Sequence, residues 1–173
     1  TGSPELFIDK KYWIHGMKEM KKLRPDMEFM IITDDVESAR KMLPGIEAHH
    51  FDIGKDYVTL KNAHYLLLSN SSFACLPAHT SETLKFAIAP KYWARHNVSD
   101  GYWASEQNIY SLFHYMDRKG NMFTAEECRK ELEEYKKHSP KYRRINQKPG
   151  NTRRFCQNIR RKALYGWFYQ KKI

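Results

Sequence analysis

The feature that constrains this chain most is an apolar run that stops at a cluster of small polar residues. Tyr65 to Leu68 is apolar, Ser69 to Ser72 is polar, and Phe73 begins a second apolar stretch. This pattern predicts a buried strand that ends in a hydroxyl-rich turn and opens a helix. Backbone N–H groups at a helix N-terminus lack an intrahelical partner and favour an anion. The turn is therefore a candidate phosphate site, and an ordinary Ser or Asn helix cap is the alternative.

Apolar runs alternate with helical patterns over the first half of the chain, which predicts an α/β fold. We expect a Rossmann-like parallel sheet with helices on both faces. The predicted helices cover residues 9–23, 36–43 and 56–63 and a segment from Ser71, and the predicted strands cover 27–33, 47–51, 65–68 and 84–89. Ligands in such sheets bind outside the carboxyl ends of the strands. The polar residues that follow predicted strands are Asp34, Asp35, Asn70, Ser71 and Ser72.

Three short elements follow one another in this region. They are Thr33-Asp34-Asp35, then Asp56 ahead of Leu60, then Asn70-Ser71-Ser72-Phe73. In this order they resemble the donor-binding domain of GDP-fucose-dependent fucosyltransferases. The likeness is closest to the bacterial α-1,2-fucosyltransferase-like proteins of glycosyltransferase family 11, and more distant to the α-1,6-fucosyltransferases. It covers residues 8–93, about half of the chain. It implies the C-terminal half of a GT-B type glycosyltransferase.

The resemblance also implies roles for the donor-binding residues. Asp56 would accept hydrogen bonds from the guanine edge. Ser71 and Ser72, with the N–H groups that follow them, would hold the β-phosphate, and Asn70 would position the turn or touch the phosphate. Like the family, the chain would need no metal ion and no cofactor apart from the GDP-sugar itself. No catalytic residue is assigned.

The acidic pair is expected to support the same site. By resemblance, Asp34 and Asp35 would lie near the ribose or the acceptor, and helix capping is the alternative for the pair. The reaction implied is an inverting transfer of fucose, or of a related sugar, from a GDP-sugar to a glycan acceptor in surface polysaccharide synthesis. A function of another class also stays open. The chain would then be a catalytically silent nucleotide-sugar-binding module, or an adaptor recruited to a membrane.

The chain departs from the family pattern at two points. The family carries an upstream H-x-R motif, whose arginine is assigned to the donor pyrophosphate, and this sequence has no counterpart. We expect the motif to precede Thr1, so that this chain is an incomplete part of a longer protein and inactive by itself. The Trp-Trp pair that often follows Phe73 in the family is replaced here by Ala74-Cys75. That replacement leaves the donor sugar open.

Basic residues are concentrated near the end of the sequence. Of the 30 Lys and Arg residues, 13 lie in residues 135–173, which contain no Asp or Glu. Residues 139–152 have the composition of a linker, and residues 153–173 predict a basic helix with aromatic anchors. We expect this helix to bind an anionic membrane surface, on the inner face of the plasma membrane in a bacterial cytoplasm. Docking on protein, nucleic-acid binding and a solvated tail are the alternatives.

The predicted organisation therefore has three parts. Residues 1–93 form the donor-binding core, residues 94–138 form an aromatic loop and a helical extension of the same domain, and residues 139–173 form the basic tail. The aromatic residues of 92–103 suit sugar recognition, and packing on the core is the alternative. In the extension, Thr124 and Glu127 predict a capping box that opens a helix ending near His138.

Cysteine usage and histidine spacing argue against a metal site or a disulfide framework. The three cysteines, Cys75, Cys128 and Cys156, lie far apart and form no C-x-x-C pair, which favours reduced thiols in a cytosolic setting. Cys75 is expected in the core. His49 and His50 are expected to be structural because no third ligand is suitably spaced.

Overall fold

The computed structural model describes residues 8–91 and 109–139. The chain divides into two compact units, Thr1–Tyr135 and Lys136–Ile173. Of the second unit only residues 136–139 are described, and they contain the end of a helix. The aromatic segment of 92–103 and the basic segment of 153–173 lie outside the described residues. The functions assigned to these two segments therefore stay predictions.

Helices and strands alternate over residues 10–90, and two further strands precede the last described helix. In chain order they are α1 (Lys10–Leu23), β1 (Met30–Ile32), α2 (Val36–Met42), β2 (Glu47–His49), α3 (Ile53–Lys61), β3 (Tyr65–Leu67), α4 (Ser72–His79), β4 (Phe86–Pro90), β5 (His114–Met116), β6 (Met122–Phe123) and α5 (Ala125–His138). The predicted mixed α/β organisation with parallel strands is confirmed. From β1 to β4 helices separate successive parallel strands, which is consistent with a Rossmann-like fold.

The strands form two sheets within the described residues, which corrects the expectation of a single parallel one. β1 pairs with β2 in parallel, and β3, β4 and β5 form a second parallel set. β6 is antiparallel to β5 because a tight turn reverses the chain between them. In that turn, Asp117 accepts backbone N–H bonds from Lys119 and Asn121, and Gly120 adopts a φ of 88°. Glycine suits this position because it tolerates positive φ.

Helices cover both faces of the larger sheet because β3 sends alternate side chains in opposite directions. Leu66 and Leu68 join a core with buried residues of α4 and α5. Leu67 lies on the other face, in a cluster with Tyr12 and Met20 of α1. α3 packs on the α4 side, where it contributes Leu60. α1 and α3 therefore lie on opposite faces.

Helix starts follow the capping rules closely. Asp9 and Asp35 accept backbone N–H bonds at the starts of α1 and α2. The predicted capping box at α5 is confirmed, since Glu127 Oε2 accepts the Thr124 N–H at 2.7 Å and Thr124 Oγ1 accepts the Glu127 N–H at 3.2 Å. The predicted start of α3 near Asp56 is wrong by one turn. Asp52 caps this helix instead, by accepting the Lys55 N–H at 2.8 Å.

Strands are shorter than the apolar runs that predicted them. The run of 27–33 contains β1 over Met30–Ile32 alone, because Met27 donates its N–H back to Arg24 in a turn. The run of 47–51 stops at His49 for a similar reason, since Phe51 donates its N–H to the side chain of Asp56. An apolar run indicates burial, but hydrogen bonds in the adjoining turns determine where strand pairing begins and ends.

α1 is joined to the sheet by one buried hydroxyl. Tyr12 donates its O–H to the carbonyl of Leu68 at 2.8 Å, and burial raises the pKa of Tyr12 well above its ordinary value. The register pairs Leu67 with Ile88, so the next ladder donor to Leu68 would be the N–H of Pro90. Proline has no N–H. The tyrosine therefore satisfies a carbonyl that the sheet itself leaves without a donor.

Tyr12→Phe is expected to lower the free energy of unfolding by about 1–2 kcal/mol, because a buried carbonyl loses its donor while the ring packing stays. Urea denaturation followed by circular dichroism measures the loss. Tyr57→Phe is the matched control, since the Tyr57 hydroxyl contacts Thr80 Oγ1 in an exposed position. Equal decreases in the free energy of unfolding of the two variants would contradict a larger contribution from the buried Tyr12 hydrogen bond.

Candidate functional site

A cleft of about 730 Å³ opens between β1 and β3. Its floor is apolar and is formed by the two strands. Met17 and Met20 of α1 line one side, and Ile53 and Leu60 of α3 line it as well. Polar groups gather where the strands end, in the loops that follow β1 and β3. Those at the carboxyl ends of the two strands are Thr33, Asp34, Ser69 and Ser71.

The predicted strand–turn–helix unit is present at this edge of the cleft. β3 ends at Leu67, and α4 begins at Ser72. Ser71 is the N-cap, and its Oγ accepts the Phe73 N–H at 3.2 Å. Capping uses the hydroxyl oxygen as an acceptor, which leaves the O–H free to donate to an anion. The capping role and the phosphate role of Ser71 are therefore compatible.

The other residues of this turn differ in position. Ser72 is exposed beside the cleft and does not line it. Asn70 is exposed and takes part in an interaction within the protein. Ser69 lines the cleft, although no role was predicted for it. It could have been predicted from its position directly after the apolar run.

The two aspartates after β1 have separate environments. Asp35 accepts the Ser38 N–H at 3.0 Å as the N-cap of α2, and this bond holds the pKa of Asp35 below its ordinary value. The capping alternative therefore describes Asp35. Asp34 is exposed and lines the cleft, across from the β3–α4 turn in the same cavity. Of the pair, it is the one placed to meet a ligand.

Asp56 lines the cleft and is almost fully buried, with 3% of its surface exposed. Its Oδ2 lies 2.6 Å from His50 Nδ1, and its Oδ1 accepts the Phe51 N–H at 3.1 Å. Both carboxylate oxygens are thus already bonded within the protein. The expected structural role of His50 is met by this contact. The sequence pattern did not indicate this contact, because it joins His50, in the loop after β2, to Asp56 in the first turn of α3.

The cleft carries no fixed positive charge from lysine or arginine in the part of the chain that the structure describes. Its carboxylate and imidazole lining residues are Glu28, Asp34, Asp56, His50 and His64. Attraction for an anion therefore comes from hydroxyl groups and from the N-terminus of α4. The positive end of a helix dipole amounts to about half an elementary charge.

A buried lysine lies at the carboxyl end of β4 and was missed by sequence reasoning. Lys91 Nζ is 2.5 Å from Glu131 Oε2 and 3.5 Å from the centroid of the Phe123 ring. Its backbone N–H bonds to Met116. The lysine is thus held between α5 and the hairpin strand β6 and does not line the cleft. It connects the end of β4 to α5.

Residues 8–91 and 109–139 contain no cluster of three or more His, Cys, Asp or Glu residues that could hold a metal ion. Cys75 and Cys128 are buried, as expected for Cys75. Burial raises the pKa of Cys128 to about 12 and also raises the pKa of Cys75. Neither thiol is therefore ionised near neutral pH. Of the helices in the described ranges, none combines the length and the apolar character needed to cross a bilayer.

No protein-family model matches this chain, and comparison with curated proteins and with solved structures gives no match either. The likeness to fucosyltransferases is therefore based on the three sequence elements alone.

Proposed function

We propose that this domain binds the diphosphate of a GDP-sugar at the polar edge of the cleft. It would act as the Rossmann-like donor domain of a GT-B type glycosyltransferase that transfers fucose, or a related sugar, to a glycan acceptor. The observation that carries the proposal is the β3–α4 turn. There a strand end, a capping serine and a helix N-terminus meet at the edge of a cavity of about 730 Å³.

The chemistry of this edge suits a phosphate bound to a nucleoside. The first N–H groups of α4 and the hydroxyls of Ser69 and Ser71 are hydrogen-bond donors, and phosphate oxygens are acceptors. Ser72 and Asn70 would support the phosphate from the outer side of the turn. Asp34, on the β1 side of the cavity, would accept from a ribose or acceptor hydroxyl. Sugar transfer by this route is inverting and needs no metal ion.

To bind guanine, Asp56 would have to form further hydrogen bonds with a carboxylate that already has partners within the protein. Asp56 would contact the guanine edge through lone pairs left over from its bonds to His50 and Phe51. Each carboxylate oxygen has two acceptor sites, so a second bond at each is chemically allowed. Because the carboxylate also holds a loop in place, its removal affects the fold as well as any nucleotide.

Because the described lining of the cleft has no lysine or arginine, we expect this chain alone to bind the GDP-sugar weakly. A pyrophosphate develops further negative charge as it leaves the sugar, and catalysis requires that charge to be stabilised. No lysine or arginine of the described residues lines the cleft. The resemblance implies that an arginine N-terminal to this domain supplies the charge. A basic segment at 153–173 would hold the transferase at an anionic membrane, close to a lipid-linked acceptor.

A catalytically silent nucleotide-sugar-binding module is the second candidate. The lack of lysine and arginine among the described residues that line the cleft favours this candidate. A site with hydrogen-bond donors but no such charge can bind a nucleotide without activating it. Sugar release from the GDP-sugar by the intact protein separates the two functions. A transferase releases GDP when it is given an acceptor, and a silent module does not.

Calorimetric titration with GDP, with UDP and ADP as controls, tests the proposal. We expect GDP-selective binding, weakened about tenfold or more by Ser71→Gly, since one hydrogen bond to a charged group is lost. Glycine is tolerated at an N-cap, so the helix start is retained. Ser71→Thr is the matched control because it keeps the hydroxyl, and we expect its affinity to stay close to that of the original chain. Equal affinity for all three nucleotides, or none for GDP, would contradict the proposal.

A further inference from the structure

One edge of β1 and one edge of β3 border the cleft. The opposite edge of β1 pairs with β2, where Thr33 donates its N–H to the carbonyl of His49 at 3.0 Å. The opposite edge of β3 pairs with β4, where Leu68 donates its N–H to the carbonyl of Ile88 at 2.8 Å. Successive residues of a parallel strand direct their N–H and C=O groups to opposite sides. The residues just before these donors, Ile32 and Leu67, therefore direct their backbone groups into the cleft.

The side chains at the two edges are those of interior strands. β1 reads Met-Ile-Ile and β3 reads Tyr-Leu-Leu, which are the near-continuous apolar runs of parallel strands covered on both faces. Nevertheless Met30 is 51% exposed, whereas Ala87, Ile88 and Ala89 of β4 are fully buried. An apolar strand edge that is left open is a template for pairing with another strand. The exposed apolar surface of β1 lies where such a strand would cover it.

The flanking helices already form the two outer layers of such a sheet. α1 lies on one face and α3 on the other, and both line the cleft. Because Gly16 lacks a side chain, α1 lies close to Leu67, where an added Cβ would be 2.5 Å from Leu67 Cδ1. Helix, strand edges and helix are thus arranged as three layers, with the middle layer open between β1 and β3.

The path of α1 indicates where another strand would come from. Near its start, Tyr12 bonds the carbonyl of Leu68 at the carboxyl end of β3. Further along α1, Gly16 lies against Leu67, and Met20 belongs to the cluster that contains Tyr65 at the amino end of β3. α1 therefore runs antiparallel to β3 and then leads into β1. A strand that enters α1 from this cleft would complete a parallel strand–helix–strand unit with β1.

We propose that the cleft between β1 and β3 receives one further parallel β-strand, supplied by the chain N-terminal to Ile8, which pairs with both open edges. The sheet would then have the order β2, β1, new strand, β3, β4, β5. Numbered along the chain, this is the 3-2-1-4-5-6 order of doubly wound folds. The strand fills the apolar floor and leaves the polar edge at Asp34 and Ser71 open. The inference therefore does not depend on the proposed function.

Amide hydrogen exchange, measured by NMR, tests the inference on the full chain. Ile32 and Leu67 report the open edges, and their neighbours Thr33 and Leu68 are matched controls because their N–H groups are already bonded. In the chain of residues 1–173 we expect Ile32 and Leu67 to exchange about tenfold faster than the controls, or more. A designed Val-Ile-Val-Ile-Val extension placed before Thr1 should slow the two reporters about tenfold or more and leave the controls nearly unchanged.

A control extension has proline at its second and fourth positions, since proline cannot donate to a ladder. Protection of the reporters by both extensions, or by neither, would overturn the inference. So would reporters that are already as protected as Thr33 and Leu68 in the unextended chain, because β1 and β3 would then pair directly. Concentration-dependent protection without an extension would assign the edges to a second copy. Protection by added GDP alone would assign the cleft floor to the nucleotide, whereas failure to bind GDP leaves the strand result intact.

Discussion

Phe113→Ala is expected to lower the free energy of unfolding by about 3–5 kcal/mol, the range for removing a buried aromatic ring. Phe113 is 1% exposed and belongs to the core that includes Tyr115 and Leu132. Its ring centre lies 5.5 Å from that of Tyr110. Truncation leaves a cavity between the sheet and α5 that these side chains can fill only in part. Urea denaturation followed by circular dichroism measures the change.

Leu112→Ala is the matched control for this prediction. Leu112 is the preceding residue in the same turn, but it is 45% exposed. We expect its replacement to change stability by about 0.5 kcal/mol or less, as for other surface positions. Similar losses for the two variants would show that residues 109–113 do not pack under the sheet as described. A loss confined to Phe113 would establish that this segment belongs to the core.

Asp56→Ala is expected to lower the free energy of unfolding by about 2–3 kcal/mol, because hydrogen bonds to a charged group are lost and the Phe51 N–H is left without its partner. The reason is the burial of the carboxylate between His50 Nδ1 at 2.6 Å and the Phe51 N–H at 3.1 Å. Asp52→Ala, at the exposed N-cap of the same helix, is the matched control. It should lower stability by about 1 kcal/mol.

This comparison also decides how a loss of GDP binding by Asp56→Ala is to be interpreted. If the variant is destabilised as expected, weaker GDP binding does not identify a guanine contact, because the loop of His50 and Phe51 has lost its support. If stability is retained and GDP binding is abolished, Asp56 acts as a ligand and its structural role is minor. Titrations at a temperature where both Asp56→Ala and Asp52→Ala are fully folded separate these outcomes.

Features that depend on a few neighbouring residues were predicted well. Caps at Asp9, Asp35 and Ser71 and the capping box at Thr124 follow from bonds between residues two or three apart. Such bonds form wherever the local sequence allows them. The strand–turn–helix unit at β3 was predicted for the same reason. An abrupt change from apolar to polar residues reports both burial and the place where it ends.

Features that depend on distant residues were not predicted. The hairpin of β5 and β6 lies in a segment for which a loop and a helix were expected. The pair of Lys91 and Glu131 joins residues that are 40 positions apart. The burial of Asp56 against His50 turned a candidate base-binding residue into a group that also supports the fold. Nothing in the local pattern distinguishes an aspartate in the first turn of a helix that faces a ligand from one that faces a loop.

By itself, the sequence determined the alternation of helices and strands, the helix caps and the polar turn after β3, because these depend on local hydrogen bonds and on the spacing of apolar residues. The tertiary structure alone decided that β1 and β3 face each other across an open cleft, that Asp34 and not Asp35 borders it, and that no lysine or arginine of the described residues lines it. These outcomes depend on how strands pair and on which side each helix packs. Pairing and packing join residues that are far apart in the chain, so no local pattern encodes them.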